Sequence, residues 1–268
     1  MRQAAAGGVY DPGGLPGLRD RVVALTVAFG ERALEPLERW LGRSSLVGDK
    51  PFFEVEDFIW AAGLEANWQK IRAELDAVLE DQEHLPNFQD ISVDQATMTT
   101  DDRWKTFFLY GYGFAAEANI ARCPETARLC RQIPGMKTAF FSILAPGKHL
   151  PAHRGPYKGV MRYHLGLLIP DPAEQCGIRV DRETRHWAEG RSMIFDDTYE
   201  HEAWNDTDGT RVVLFVDFVR PLRQPAKLVN WLVLWAIAFS PFISDAKRRH
   251  NDWEKRFELL KAGRAATA

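Results

Sequence analysis

Cysteine is scarce in this chain. Cys123, Cys130 and Cys176 are its only three among 268 residues, and no two of them form a Cys-x-x-Cys pair. An odd count without paired spacing argues against a disulfide framework. A reduced, cytoplasmic setting is therefore expected. An excess of positive charge is also lacking: 34 basic against 37 acidic residues give a net charge of -3. No global basic field would draw in phosphate, so nucleic acid is excluded as the main partner. Long apolar runs are missing as well. The strongest, Leu228–Ile243, has 16 residues and is interrupted by Asn230, Ser240 and Pro241. A membrane-spanning helix needs about 20. Met1–Gly14 is rich in Ala and Gly without an apolar stretch, so no leader peptide is expected.

What is present fits a globular protein. Hydrophobic residues make up 46% and aromatics 12%, and the length suffices for a sizeable core in one domain with terminal extensions. Nine tryptophans point to aromatic pockets or an interfacial surface.

Residues 1–17 read as disordered. Arg21–Arg43 reads as an amphipathic helix, with Val22, Leu25, Phe29, Ala33, Leu37, Trp40 and Leu41 at helical spacing. Pro51–Phe58 reads as an extended linker. Leu64–Leu79 reads as a second helix, residues 80–103 as a polar loop, and Trp104–Tyr112 as a strand. A short helix opens at Cys123-Pro124 and runs to about Gln132. From Met136 the texture turns to β: Thr138–Leu144, Met161–Ile169, Gly177–Val180, Thr184–Trp187, Ser192–Phe195, Glu202–Asn205 and Arg211–Val219. Short strands punctuated by turn residues predict a β-sandwich or barrel. Strand alternation puts Arg162, His164 and Gly166 on one face of their strand, and Arg211, Val213 and Phe215 on one face of another. Polar residues on one face mean either solvent or a ligand-holding barrel interior.

The chemistry concentrates in the same half: His153-Arg154-Gly155, Arg162-Tyr163-His164, His201, and Arg211 ten residues later. Non-haem iron that activates O2 needs a few protein ligands on one side and open positions on the other. His153 and His201 can supply imidazole nitrogens. Arg211 can hold the distal carboxylate of 2-oxoglutarate, because its planar fork matches a carboxylate bidentately. Ser142, Arg162 and His164 are candidates for the rest of that pocket. Each residue also has a bland reading: a lone histidine is more often a hydrogen-bonded structural residue, and Arg211 after Gly209-Thr210 could be a surface arginine at a strand start. Where such iron sites usually carry His-x-Asp, this chain has His-Arg-Gly, so one carboxylate is absent. Asp196 and Asp197 could be proposed as replacements, but Asp-Asp-Thr is good turn chemistry. A two-histidine site completed by water is the expectation.

From about Met136 to Leu222 the chain resembles the aspartyl/asparaginyl β-hydroxylase family. The stretches that carry the resemblance are FFSILAPGKHLPAHRGPYKG, MRYHLGLLIP, HWAEGRSMIFDDTYEHEAWN and TRVVLFVDFVRP. The resemblance implies a mainly β fold with flanking helices around a double-stranded β-helix (jelly-roll, cupin-like) core. It implies hydroxylation of unactivated C–H bonds with Fe(II), 2-oxoglutarate and O2. It carries metal binding onto His153 and His201, and cosubstrate binding onto Ser142, Arg162, His164 and Arg211. Animal members of the family also have Gly where this chain has Gly155. The family's bacterial lipid A acyl-chain hydroxylases carry His-Arg-Asp-Pro-Tyr there instead, yet their flanks are similar to PFFEVEDFIWAAGLEANWQKIRAEL and RYHLGLLIP of this chain.

The organisation expected is an N-terminal extension over 1–50, an oxygenase domain over 51–225 and C-terminal apolar and basic helices over 226–268. The substrate expected is a lipid acyl chain, or else an Asp or Asn side chain in a peptide. A non-catalytic β-barrel that binds or senses a metabolite is the competing reading, favoured by the missing carboxylate. Leu228–Ile243 reads as a core helix packed on the barrel, or as one lying in a membrane interface beside Lys247-Arg248-Arg249. The second reading places residues 228–249 against the inner membrane surface.

Overall fold

The computed structural model describes residues 35–91, 99–238 and 241–265. The readings of residues 1–17 and of the helix over 21–34 lie outside these. The chain divides into two compact units, Met1–Arg39 and Trp40–Ala268. Of the first, residues 35–39 are described and are helical; the helix α1 covers residues 35–43.

Two antiparallel sheets build the second unit. The larger has the order β1-β9-β6-β11-β4-β2-β3 and the smaller β5-β10-β7-β8. Their strands are β1 (Phe52–Phe53), β2 (Trp104–Gly111), β3 (Phe114–Ala115), β4 (Met136–Leu144), β5 (Lys148–His153), β6 (Val160–Leu168), β7 (Cys176–Val180), β8 (Glu183–His186), β9 (Ser192–Phe195), β10 (His201–Asn205) and β11 (Arg211–Val219). This alternation of strands between two facing sheets is the double-stranded β-helix. The central strands β4, β6 and β11 are buried on both faces, which is why they read as near-continuous apolar runs rather than as clean alternation.

Helices α2 (Ile59–Ala66), α3 (Trp68–Leu79), α5 (Glu117–Arg122) and α6 (Pro124–Cys130) flank the larger sheet. On one face Trp60 packs edge-on against Tyr163 and Phe218, both at 5.1 Å between ring centres. On the other, His164, Phe215, Phe140 and Phe108 sit directly opposite one another across β6, β11, β4 and β2. Phe140 stacks on Phe215 at 4.3 Å and on Phe108 at 4.5 Å, the offset geometry that favours aromatic pairs.

Four readings of the sequence need correction. Pro51–Phe58 is not a linker: buried Phe52 and Phe53 pair with β9 and close the sheet edge. The helix expected over Leu64–Leu79 is two helices broken at Asn67, whose side-chain amide donates to the Gly63 carbonyl at 2.9 Å and competes with helix continuation. The loop over 80–103 contains the short helix α4 (Phe88–Ile91). The apolar stretch from Leu228 is α7 (Ala226–Ala238), and Pro241 opens a separate helix, α8 (Pro241–Ala265), at the position where its missing N–H costs nothing. All three cysteines are free and buried.

Candidate active site

His153 ends β5 and His201 begins β10, and the two are direct partners in the ladder. Their rings lie 4.1 Å apart. Each ring is oriented by a backbone carbonyl two residues earlier in its own chain. His153 Nδ1 donates to the Pro151 carbonyl at 2.8 Å, and His201 Nδ1 donates to the Tyr199 carbonyl at 3.0 Å. A carbonyl can only accept, so the proton sits on Nδ1 and the lone pair on Nε2. Burial holds the His201 pKa down to about 3, with His153 and Arg162 pushing the same way. Burial likewise lowers His153. Both imidazoles are therefore neutral at physiological pH, the state that binds metal.

Arg211 opens β11. The preceding turn is tied down by Asn205, whose amide donates to the carbonyls of Gly209 at 2.8 Å and Leu144 at 3.1 Å. The guanidinium is 2% exposed. It donates to the Ser142 carbonyl at 3.2 Å and to Ser142 Oγ at 3.4 Å, and lies 4.5 Å over the Trp187 ring. Its Nε has no hydrogen-bond partner, and no carboxylate pairs with it among the described residues. Burial lowers its pKa to about 10. Ser142 Oγ also accepts from Trp104 Nε1 at 3.1 Å, which leaves its own proton free to donate.

His164 lies between Phe195 and Phe215, each 5.0 Å away. Neither ring nitrogen has a partner among the described residues, nor does the indole nitrogen of Trp187. Burial sets the His164 pKa well below the ordinary value, and Arg211, Arg162 and His201 push it further down.

Arg162 points to the same interior but is engaged. It bonds Asp217 at 2.9 Å and Asp197 at 2.9 Å, and lies 4.3 Å over Phe215. Burial acts to lower its pKa, but Asp197 and Asp217 outweigh it and the net direction is up. Asp196 does what turn chemistry predicts: it accepts from Thr198 N at 3.0 Å and Thr198 Oγ1 at 2.6 Å, and pairs with Lys158 and Arg220. Asp197 is buried beside Gly155. A Cβ on Gly155 would meet its carboxylate oxygen at 2.1 Å, so this backbone and this carboxylate leave no room for a side chain at 155. Among the described residues no group of three or more His, Cys, Asp or Glu comes together at metal spacing.

The structure thus brings all six expected residues to one interior. Three more belong with them that sequence reasoning did not single out: Trp187 under Arg211, Trp104 on Ser142, and Asp217 on Arg162. The register of β6 on β11 could have found Asp217, since it faces Arg162. Nothing in the sequence marks the two tryptophans apart from the other seven.

Fold and site together define a double-stranded β-helix whose interior pairs two neutral histidines with a buried cation that has no counter-ion among the described residues. The chain belongs to the aspartyl/asparaginyl β-hydroxylase family, whose model matches residues 65–221. It is 56% identical over 211 residues to an ornithine lipid ester-linked acyl 2-hydroxylase of Rhizobium tropici, covering 79% of this chain and 75% of that one. It is 35% identical over 167 residues to the aspartyl/asparaginyl beta-hydroxylase of Homo sapiens, covering 60% of this chain but 21% of the human protein. A cupin domain of a transcriptional regulator from Enterobacter cloacae superposes with 14% identity over 44% of this chain and 97% of that one, at a TM-score of 0.31. The membership places the chain among hydroxylases and not among non-catalytic metabolite-binding barrels.

Proposed function

We propose that this hydroxylase depends on Fe(II) and 2-oxoglutarate and acts on a lipid acyl chain. The observation that carries the reading is Arg211: a buried guanidinium with no carboxylate partner among the described residues, beside an imidazole with neither nitrogen bonded among them. Burying a lone cation costs several kcal/mol unless an anion arrives to pair with it. A dicarboxylic keto acid fits that need. Its distal carboxylate pairs with Arg211, and the free Ser142 hydroxyl proton and the neutral His164 ring add donors. Arg162 lines the same interior, but Asp197 and Asp217 already offset its charge, so Arg211 is the cation left for the keto acid. His153 and His201 hold the iron through Nε2, and the absence of a third side chain leaves positions open for the keto acid and O2.

The chemistry that bound iron and 2-oxoglutarate supply is a coupled oxidation: one oxygen atom of O2 enters the substrate C–H bond, the other enters succinate, and CO2 leaves. The protein's part is to keep both imidazoles deprotonated at Nε2, to fix the keto acid by its charge, and to keep water out of an aromatic-lined interior.

The lipid substrate is inferred from the Rhizobium tropici relative, and position 2 of an ester-linked acyl chain is the first bond to test. The human relative and the His-Arg-Gly sequence favour an Asp or Asn side chain as the second reading. Anaerobic addition of Fe(II) and then 2-oxoglutarate should produce a visible metal-to-ligand charge-transfer band that is lost in His201→Ala. Absence of that band in the wild-type protein would refute the cofactor assignment. Mass spectrometry for one added oxygen, run on an ornithine lipid and on an Asp-containing peptide, decides between the substrates.

A further inference from the structure

Helix α7 has two apolar faces, and the barrel uses one. Ala226, Asn230 and Leu234 recur every fourth residue and are buried. Leu228, Trp231, Leu232 and Trp235 follow the i, i+3, i+4, i+7 rule of an apolar stripe on the opposite side. They are 54%, 58%, 49% and 56% exposed. Contiguous exposed apolar surface of this kind marks an interaction site. The helix is also coupled to the candidate active site. Asn230 accepts from the Tyr157 hydroxyl at 2.8 Å and donates to the Gly159 carbonyl at 2.9 Å. Both residues lie in the loop that leads out of β5 directly after His153.

We propose that the outward face of α7 seats the protein on a lipid bilayer carrying anionic headgroups, so that acyl chains enter next to His153. The proposal rests on the lipid-substrate reading above. Charge identifies the partner. Arg223 and Lys227 are exposed at the start of the helix, and Lys247 is exposed in α8 beside Arg248 and Arg249, which pair with Asp245. Asp245 is the one acidic residue between Arg223 and Arg249, in a chain whose net charge is -3. Basic residues at the start of a helix that exposes Trp and Leu suit an anionic interface. No described helix is long and apolar enough to cross a membrane, which fits a helix lying in the headgroup plane.

The test uses the full chain without iron or cosubstrate. It is centrifuged with vesicles of phosphatidylcholine alone, and with vesicles in which about one third is phosphatidylglycerol. Partitioning onto the anionic vesicles is expected, reduced about tenfold or more in Leu228→Ser/Trp231→Ser/Leu232→Ser with an unchanged thermal transition. A second variant, Arg223→Glu/Lys227→Glu, keeps the apolar face and should lose the preference for anionic lipid. Wild-type protein that stays in the supernatant overturns the proposal. So does a triple variant that binds as tightly as wild type, equal wild-type binding to neutral and anionic vesicles, or a wild-type dimer that the triple substitution splits, which would assign the face to a second copy. Hydroxylation of lipid in detergent micelles tests the substrate reading separately, so either idea can fail alone.

Discussion

The aromatic row across the larger sheet ends in a buried histidine at each side. His164 meets Phe215 at 5.0 Å, and His250 of α8 meets Phe108 at 6.1 Å. Neither ring has a hydrogen-bond partner among the described residues. Burial depresses both pKa values, that of His250 to about 4. Their surroundings differ. His250 is enclosed by Phe108, Phe114 and Trp253, and burial alone accounts for its shift. His164 shares its space with Arg211, Arg162 and His201. An unbonded buried imidazole is therefore not by itself a sign of function. The uncompensated charge beside it is, because that charge costs stability which packing does not require.

The largest expected effect breaks the symmetry outright. His201→Ala should take 2-oxoglutarate turnover below detection, since it removes one of the two imidazoles proposed to hold the metal. His250→Leu should leave kcat within about twofold, as expected of a change outside the site. Turnover that survives the first substitution, or disappears with the second in folded protein, would erase the distinction drawn here.

Next is Arg211→Met. Truncating one partner of a desolvated charge pair costs roughly 2–5 kcal/mol, so the 2-oxoglutarate requirement should rise tenfold or more. The same variant should melt at a higher temperature than wild type when no cosubstrate is present, because the lone buried cation is gone. A lower melting temperature with unchanged cosubstrate affinity would make Arg211 a structural residue.

The third prediction concerns acid. His250 titrates near 4 in the folded chain against 6.5 in the unfolded one. Its contribution is fully present above pH 6.5 and is lost as pH falls toward 4, because the unfolded state takes up the proton first. The full window is worth about 3 kcal/mol. Urea unfolding of His250→Leu should show a flatter acid slope than wild type, with the remaining slope shared by other groups such as His164. Parallel slopes in the two proteins would mean that His250 gains a proton as easily folded as unfolded.

The smallest effect lies inside the site. Trp104→Phe removes the bond that orients the Ser142 hydroxyl, worth about 1 kcal/mol. Cosubstrate affinity should fall about fivefold while kcat at saturation holds. If kcat falls instead, Ser142 does more than bind.

Much of this was readable along the chain because strand alternation is local. Arg162 and His164, two apart, must share a face, as must Arg211 and Phe215, and that face is the interior. The two histidines and Arg211 could be proposed for a metal and a carboxylate from residue type alone, and the structure places them in one interior. What escaped depends on register and distance. That Gly155 lies against Asp197 follows from the approach of two loops far apart in sequence. β5 was not foreseen, since Lys148–His153 mixes charge, Pro151 and exposed positions. The break at Asn67 was hidden because the apolar spacing runs through it; only a side chain bonded to its own backbone stops the helix. The outward stripe of α7 was legible as apolar residues, but which side the barrel would take was not.

The carbonyls of Pro151 and Tyr199 have a consequence for how such a barrel diversifies. Each histidine is aimed by main chain two residues behind it, within its own strand end. No neighbouring side chain is needed to set the tautomer or hold the ring. Substitutions around the mouth can therefore accumulate without disturbing the presentation of either Nε2. A scaffold wired this way can change its rim while both Nε2 atoms stay aligned.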